Sequence, residues 1–118
     1  MTDAEKDRKM VLDYLDTAFT LKRSIARLRK QRQETFRLCD RAALDRRIEG
    51  LECNYYDQIF AVDRFRHLLT KEEQEQVKQA NREVNAPYQE RAEQQRRYNR
   101  EYKKRRKERK KQMEGEEV

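Results

Sequence analysis

The stretch Val11-Leu12-Asp13-Tyr14-Leu15-Asp16-Thr17-Ala18-Phe19-Thr20-Leu21-Lys22-Arg23-Ser24-Ile25-Ala26-Arg27-Leu28 decides the fold. Val11, Tyr14, Ala18, Leu21, Ile25 and Leu28 recur in steps of three and four, the a/d spacing of a helix that buries one stripe. Leu12, Leu15 and Phe19 widen that stripe. Upstream, Thr2-Asp3-Ala4-Glu5 has the form of a capping box, with Thr2 as N-cap, and Asp3, Glu5 and Asp7 suit the positive end of the helix dipole. The periodicity fades past Arg32 and Thr35, so the first helix is expected to end near residue 38.

A second seam follows at Leu44, Ile48, Leu51, Tyr55, Ile59 (or Gln58), Val62, Phe65 and Leu69, again in steps of three and four. Residues 41 to 69 therefore read as one helix. The reversal falls around Cys39-Asp40-Arg41, with Asp40 as N-cap. No Gly or Pro marks it, so a kink in one long rod is the alternative. Two seams of similar length across a polar break favour an antiparallel hairpin. Leu21, Ile25, Leu51, Tyr55, Val62 and Phe65 are expected to be buried there, and Gly50 is expected at a close helix crossing.

Thr70 and Glu73 form a second capping box, which also accounts for Glu72 and Glu75 at the start of a helix. That helix carries a weak apolar stripe of Val77, Ala80 and Val84. Asn85-Ala86-Pro87 then reads as a break, with Pro87 in the first turn of a last helix over 87–112. The fold expected is all-α: a coiled-coil-like antiparallel hairpin, a short third helix and a long basic C-terminal helix. The domain division is 1–86 for the helical body and 87–118 for the basic helix or tail.

The chain of 118 residues carries a net charge of +7, and 45% of its residues are charged. Residues 1–86 hold 18 basic and 16 acidic side chains, and residues 87–118 hold 12 and 7, so +2 lies in the body and +5 beyond it. The concentration falls on Arg91, Arg96, Arg97, Arg100, Lys103, Lys104, Arg105, Arg106, Lys107, Arg109, Lys110 and Lys111, interrupted by Glu93, Glu101 and Glu108. Glu114, Glu116 and Glu117 close the chain as a short acidic end. Such a run repels itself, so it implies either a polyanionic partner or a solvated tail. Phosphate is the commonest such partner, because each neutralised phosphate releases condensed counterions.

Arg91 to Lys111 would span roughly 30 Å as a helix, enough to cross several phosphates. Cations fall on every face of its final turns, and it has no broad apolar face of the kind that membrane-surface helices keep. Tyr98 and Tyr102 share a face and are placed either to stack on bases or to dock on the body. A basic zipper is excluded, because no aliphatic heptads follow the basic run. In the first helix, Lys22, Arg23, Arg27, Arg29, Lys30 and Arg32 form a second positive patch. Arg23, Arg27 and Lys30 share a face off the seam. That face is either solvated and paired with acids such as Asp57 and Asp63, or continuous with the basic tail.

Nothing in the chain reads as secreted or membrane-spanning. Cys39 and Cys53 lack zinc-ligand spacing and read as reduced thiols packed as small apolar groups. His67 has no nucleophile motif beside it, and there is no phosphate loop or metal-ligand cluster, so no catalytic residue, metal or cofactor is expected.

The run Leu12 to Ile25, with the basic helix that follows, resembles the N-terminal part of small phage transcriptional regulators of the ArpU-like late-gene class, as Ala43 to Leu69 resembles their second helix. The resemblance covers roughly the first 70 residues and implies a regulator acting on DNA, whose relatives carry a helix-turn-helix at the C-terminus. This chain departs there, with one helix over 70–84 followed by the charged tail. The function expected is that of a non-enzymatic phage- or mobile-element-type protein gripping DNA or RNA, alone or in a nucleoprotein, through the basic helix. The expected place is the cytoplasm, or the nucleoid of a host cell. One alternative is an anti-CRISPR-like inhibitor or adaptor whose hairpin binds a protein. Another is a structural subunit of a nucleoprotein assembly. The hairpin offers a surface for a homodimer.

Overall fold

A computed structural model describes residues 1–116. Glu117 of the acidic end lies outside the described residues, as does the side chain of Glu116. The chain is all-α among those residues, with α1 (Asp3–Gln33) and α2 (Leu38–Arg64) packed as a hairpin and a long third helix, α3 (Lys71–Glu116). A single 3-10 turn, Arg66–Leu68, joins α2 to α3. The chain divides into two compact units, Met1–Val84 and a second from Asn85 onward.

Both helix starts with a Thr cap form as their sequences dictate. The Thr2 hydroxyl accepts from the Glu5 N–H at 3.3 Å. Before α3 the capping box closes in both directions: the Glu73 N–H donates to Thr70 Oγ1 at 3.2 Å and the Thr70 N–H to Glu73 Oε1 at 2.8 Å. The turn between α1 and α2 differs from expectation. α1 ends at Gln33 and α2 begins at Leu38, with Arg37 rather than Asp40 at the N-cap and no side-chain cap bond. Asp40 sits in the first turn of α2 instead, where a carboxylate meets the same helix dipole. α2 also stops at Arg64, short of residue 69, because Phe65 leaves helical geometry and the 3-10 turn tightens the chain toward Thr70.

The core of the first unit comes from three helices. Val11, Leu15, Ala18, Ile25 and Leu28 of α1 are buried with Leu44, Ile48, Tyr55, Ile59 and Val62 of α2. Leu69, with Val77, Ala80 and Val84 from the first turns of α3, completes it. Of the expected core, Ile25, Tyr55 and Val62 are fully buried, whereas Leu21, Leu51 and Phe65 pack against the cluster half-buried. The buried arc of α1 is turned from Tyr14 and Leu21 toward Leu15 and Lys22. A helix flanked by two neighbours needs a wider buried face than a two-stranded seam, and α3 supplies the second neighbour.

Several expectations are overturned by geometry. Gly50 marks no close crossing: a Cβ built there meets nothing within 4 Å. Cys39 and Cys53 are exposed free thiols, since the first lies in the opening turn of α2 and the second on its outer face. Pro87 does not break the chain but lies inside α3. Proline removes the N–H that would bond the carbonyl four residues back, here that of Glu83. Arg29 replaces the missing donor, its Nη1 reaching Glu83 O at 3.4 Å and its Nη2 reaching Val84 O at 2.7 Å. With those carbonyls satisfied from the side, the short third helix and the basic helix join as one element.

Candidate nucleic-acid interface

The basic residues of α1 separate into two classes by register. Arg8, Val11, Leu15, Ala18, Lys22, Ile25, Arg29 and Arg32 follow one another in steps of three and four, so the seam itself carries four cations. Each is paired across to another helix. Arg8 bridges Glu73 at 3.1 Å, Lys22 meets Glu83, Arg29 meets Glu52 at 3.2 Å and Arg32 meets Asp45. Glu52 is the one buried acid among the described residues, 6% exposed, and pattern reading missed it because it sits one position beyond Leu51 in the second seam. An acid adjoining an apolar seam, with an Arg at seam spacing on the facing helix, is the signal that marks such a pair.

These cations hold the body together. The acids expected to pair with the patch, Asp57 and Asp63, are not the partners of these four. Arg23, Arg27 and Lys30 lie off the seam and are exposed. Among the described residues Arg23 and Arg27 donate only to neighbouring hydroxyls on their own helix, Thr20 at 3.1 Å and Ser24 at 3.4 Å. Their charges remain available to an external anion.

Two acids on α3, Glu73 and Glu83, are favoured in charged form by this arrangement. The backbone N–H of Thr70, assisted by Arg8, lowers the Glu73 carboxyl below its ordinary range. Lys22, with Gln79, does the same for Glu83. Tyr55 is buried and donates to Asn81 Oδ1 at 2.6 Å, and burial first of all pushes its phenol upward.

In the second unit every side chain from Tyr88 to Gly115 is exposed. At 3.6 residues per turn its charges sort into three bands. Arg96, Arg100, Lys103, Lys107 and Lys110 fall within ~40° of one line, a stripe without acids until Glu114 beyond Lys110. Shallow surface grooves run between them, lined by Arg96, Asn99, Arg100 and Lys103, and further along by Lys103, Arg106, Lys107 and Lys110. A third, beside them, adds Lys104. Glu90, Glu93, Glu101 and Glu108 gather about a third of a turn round. There Arg97 pairs with Glu93 at 3.1 Å, beside Lys104 and Lys111. The remaining side carries Tyr98 and Tyr102 with Arg91, Arg105 and Arg109. The two tyrosine rings are 6.5 Å apart and within 18° of parallel. Arg91 lies over the Tyr88 ring at 5.6 Å.

Thus all the expected tail residues, Arg91 through Lys111 with Tyr98 and Tyr102, lie on one solvent-facing helix. Among the described residues no group of three or more His, Cys, Asp and Glu side chains is placed to hold a metal ion, and no helix is long and apolar enough to cross a membrane. His67 is exposed in the 3-10 turn. No protein-family model, curated protein or solved structure matches this chain.

Proposed function

We propose that the protein is a non-enzymatic, phage- or mobile-element-type nucleic-acid binder whose contact surface is the basic part of α3, acting on free DNA or RNA or within a nucleoprotein in the cytoplasm. The observation that carries this reading is the exposure of the whole segment from Tyr88 to Gly115. That segment carries twelve cations against five acids, with Arg96, Arg100, Lys103, Lys107 and Lys110 along one face, on a part of α3 that buries none of its side chains. A helix with so little apolar surface gains no packing energy from isolation, so its cations are free to exchange counterions for phosphate. The body, by contrast, spends its seam cations on internal carboxylates. The resemblance of its first 70 residues to ArpU-like phage regulators supports the same class of partner, through a basic helix in place of a helix-turn-helix.

The test is a binding titration from 50 to 200 mM salt with full-length protein and with a chain ending at Ala86. The expected result is a log–log slope of about −0.9 per phosphate contacted on duplex DNA, and near-complete loss of binding on truncation. Salt-insensitive binding, or full binding by the truncated chain, overturns the proposal.

A second reading is favoured by a different observation. Phe36 and Leu38 at the hairpin turn are 88% and 80% exposed, and Phe60 on α2 is 68% exposed with Tyr56 nearby. Exposed apolar side chains of this size suit a protein partner, as an inhibitor or adaptor of nucleic-acid machinery, or a second copy of the chain. In that case the complex survives truncation at Ala86 with slower, salt-dependent association.

A further inference from the structure

We infer that Tyr98 and Tyr102 form a seat for an unpaired base, so that the ligand class of the basic helix is single-stranded nucleic acid rather than duplex. This deepens the reading of the basic helix as a phosphate-binding surface and rests on it. Two observations carry it. The rings are 63% and 58% exposed, one helical turn apart, with planes within 18° of parallel. Their centroids are 6.5 Å apart, near the upper end for direct ring contact, so the pair leaves its ring faces little used by each other.

The surrounding charge fits the same ligand. Arg105 and Arg109 lie on the tyrosine side of the helix, and of the acid band only Glu101 borders that side. A strand whose base enters beside the rings therefore meets guanidinium groups further along the same face. Aromatic platforms flanked by cations bind single strands with little sequence preference, because every base has a π-face. A duplex offers its phosphates but keeps its bases in the stack, so it gains only the charge contribution.

The experiment uses the full chain and oligonucleotides of one sequence carrying 2-aminopurine, as single-stranded DNA, single-stranded RNA and duplex DNA. The expected result is tighter single-strand binding with quenching of 2-aminopurine on both single strands. Tyr98→Ala with Tyr102→Ala should weaken single-strand binding about tenfold or more, abolish the quenching, and leave duplex affinity and the salt slope unchanged. Tyr98→Phe with Tyr102→Phe should retain both, since stacking needs the ring and not the hydroxyl. Far-ultraviolet dichroism checks that helicity is kept, as expected for exposed positions changed to a good helix former. Equal binding of duplex and single strand that ignores the alanine changes overturns the base seat while leaving the phosphate surface standing. An equal loss on both ligands overturns it too, assigning the rings to helix integrity. Absence of binding to any of the three removes the base seat and the phosphate surface together.

Discussion

Arg29 donates to the backbone oxygen of Glu83, the carbonyl that Pro87 leaves without an N–H partner in α3. The same guanidinium bridges buried Glu52 on α2, so one side chain ties three helices. Removing it with Arg29→Met should cost about 3 kcal/mol by taking the cationic partner from a buried carboxylate. Glu52→Gln in that background should recover part of the loss. Pro87→Ala restores a backbone donor to Glu83, so the cost of Arg29→Met should shrink by about 1 kcal/mol when the two are combined. Urea denaturation of the four-protein cycle checks this, and strict additivity would show that Arg29 does not serve the carbonyl.

Tyr55 should behave as a polar rivet in an apolar core. Tyr55→Phe leaves Asn81 Oδ1 without its donor and is expected to cost about 1–2 kcal/mol. Pairing it with Asn81→Leu should return some of that, because both polar partners then leave together. Melting midpoints of the two single variants and the double variant measure the coupling.

Acid should loosen the junction of α1 with the start of α3. Glu73 and Glu83 have folded-state values below the ordinary 4.5, so each contributes stability that is fully present above that value. The contribution is lost as pH falls through the lowered folded value, where the carboxylates protonate and release Arg8 and Lys22. Denaturation midpoints from pH 7 to 3 should therefore drop below about 4.5. A protein carrying both Glu73→Gln and Glu83→Gln should show a flatter profile, since neither position then titrates, while the amide at the first can still complete the capping box.

The two classes of α1 cation should separate experimentally. Exchanging Arg23, Arg27 and Lys30 for Gln should leave stability within about 0.5 kcal/mol per site, as for exposed positions generally. Exchanging Arg8 and Arg29 should lower stability, with Arg29 the larger effect because its partner is buried. If the exposed trio contributes to phosphate binding, its removal shows as a shallower salt slope in the full-length protein.

The hairpin was legible in the sequence because aliphatic residues at three-four spacing have few other uses in a chain so highly charged. The capping box at Thr70 was legible for a local reason, since its two hydrogen bonds involve neighbours in sequence. What escaped reading depends on long-range partners. Glu52 and Arg29 look like solvent-facing charges until the helices meet. Pro87 looks like a break until a side chain from residue 29 supplies its missing bond. The tail positions could be enumerated from sequence, since nearly every residue there is polar, and Arg23, Arg27 and Lys30 could be set off the seam by spacing, but the pairing of Lys22 with α3 and of Arg29 and Arg32 with α2 needed the packed helices.

The cations set into the α1 seam have a consequence for folding fidelity. Leu, Ile and Val are nearly interchangeable, so a purely aliphatic seam tolerates a slide of one heptad, about 10 Å, at modest cost. A slide that size one way would set Phe36, past the end of α1, in the place of Arg29 opposite buried Glu52; the other way would set Lys22 there but put Ile25 in the place of Arg32 opposite Asp45. Misaligned hairpins and wrong pairings between copies thus lose charge pairs, at greatest cost where the acid is buried. A chain with few apolar residues and almost no glycine or proline to mark its turns thus has its alignment keyed by charge, like the wards of a lock.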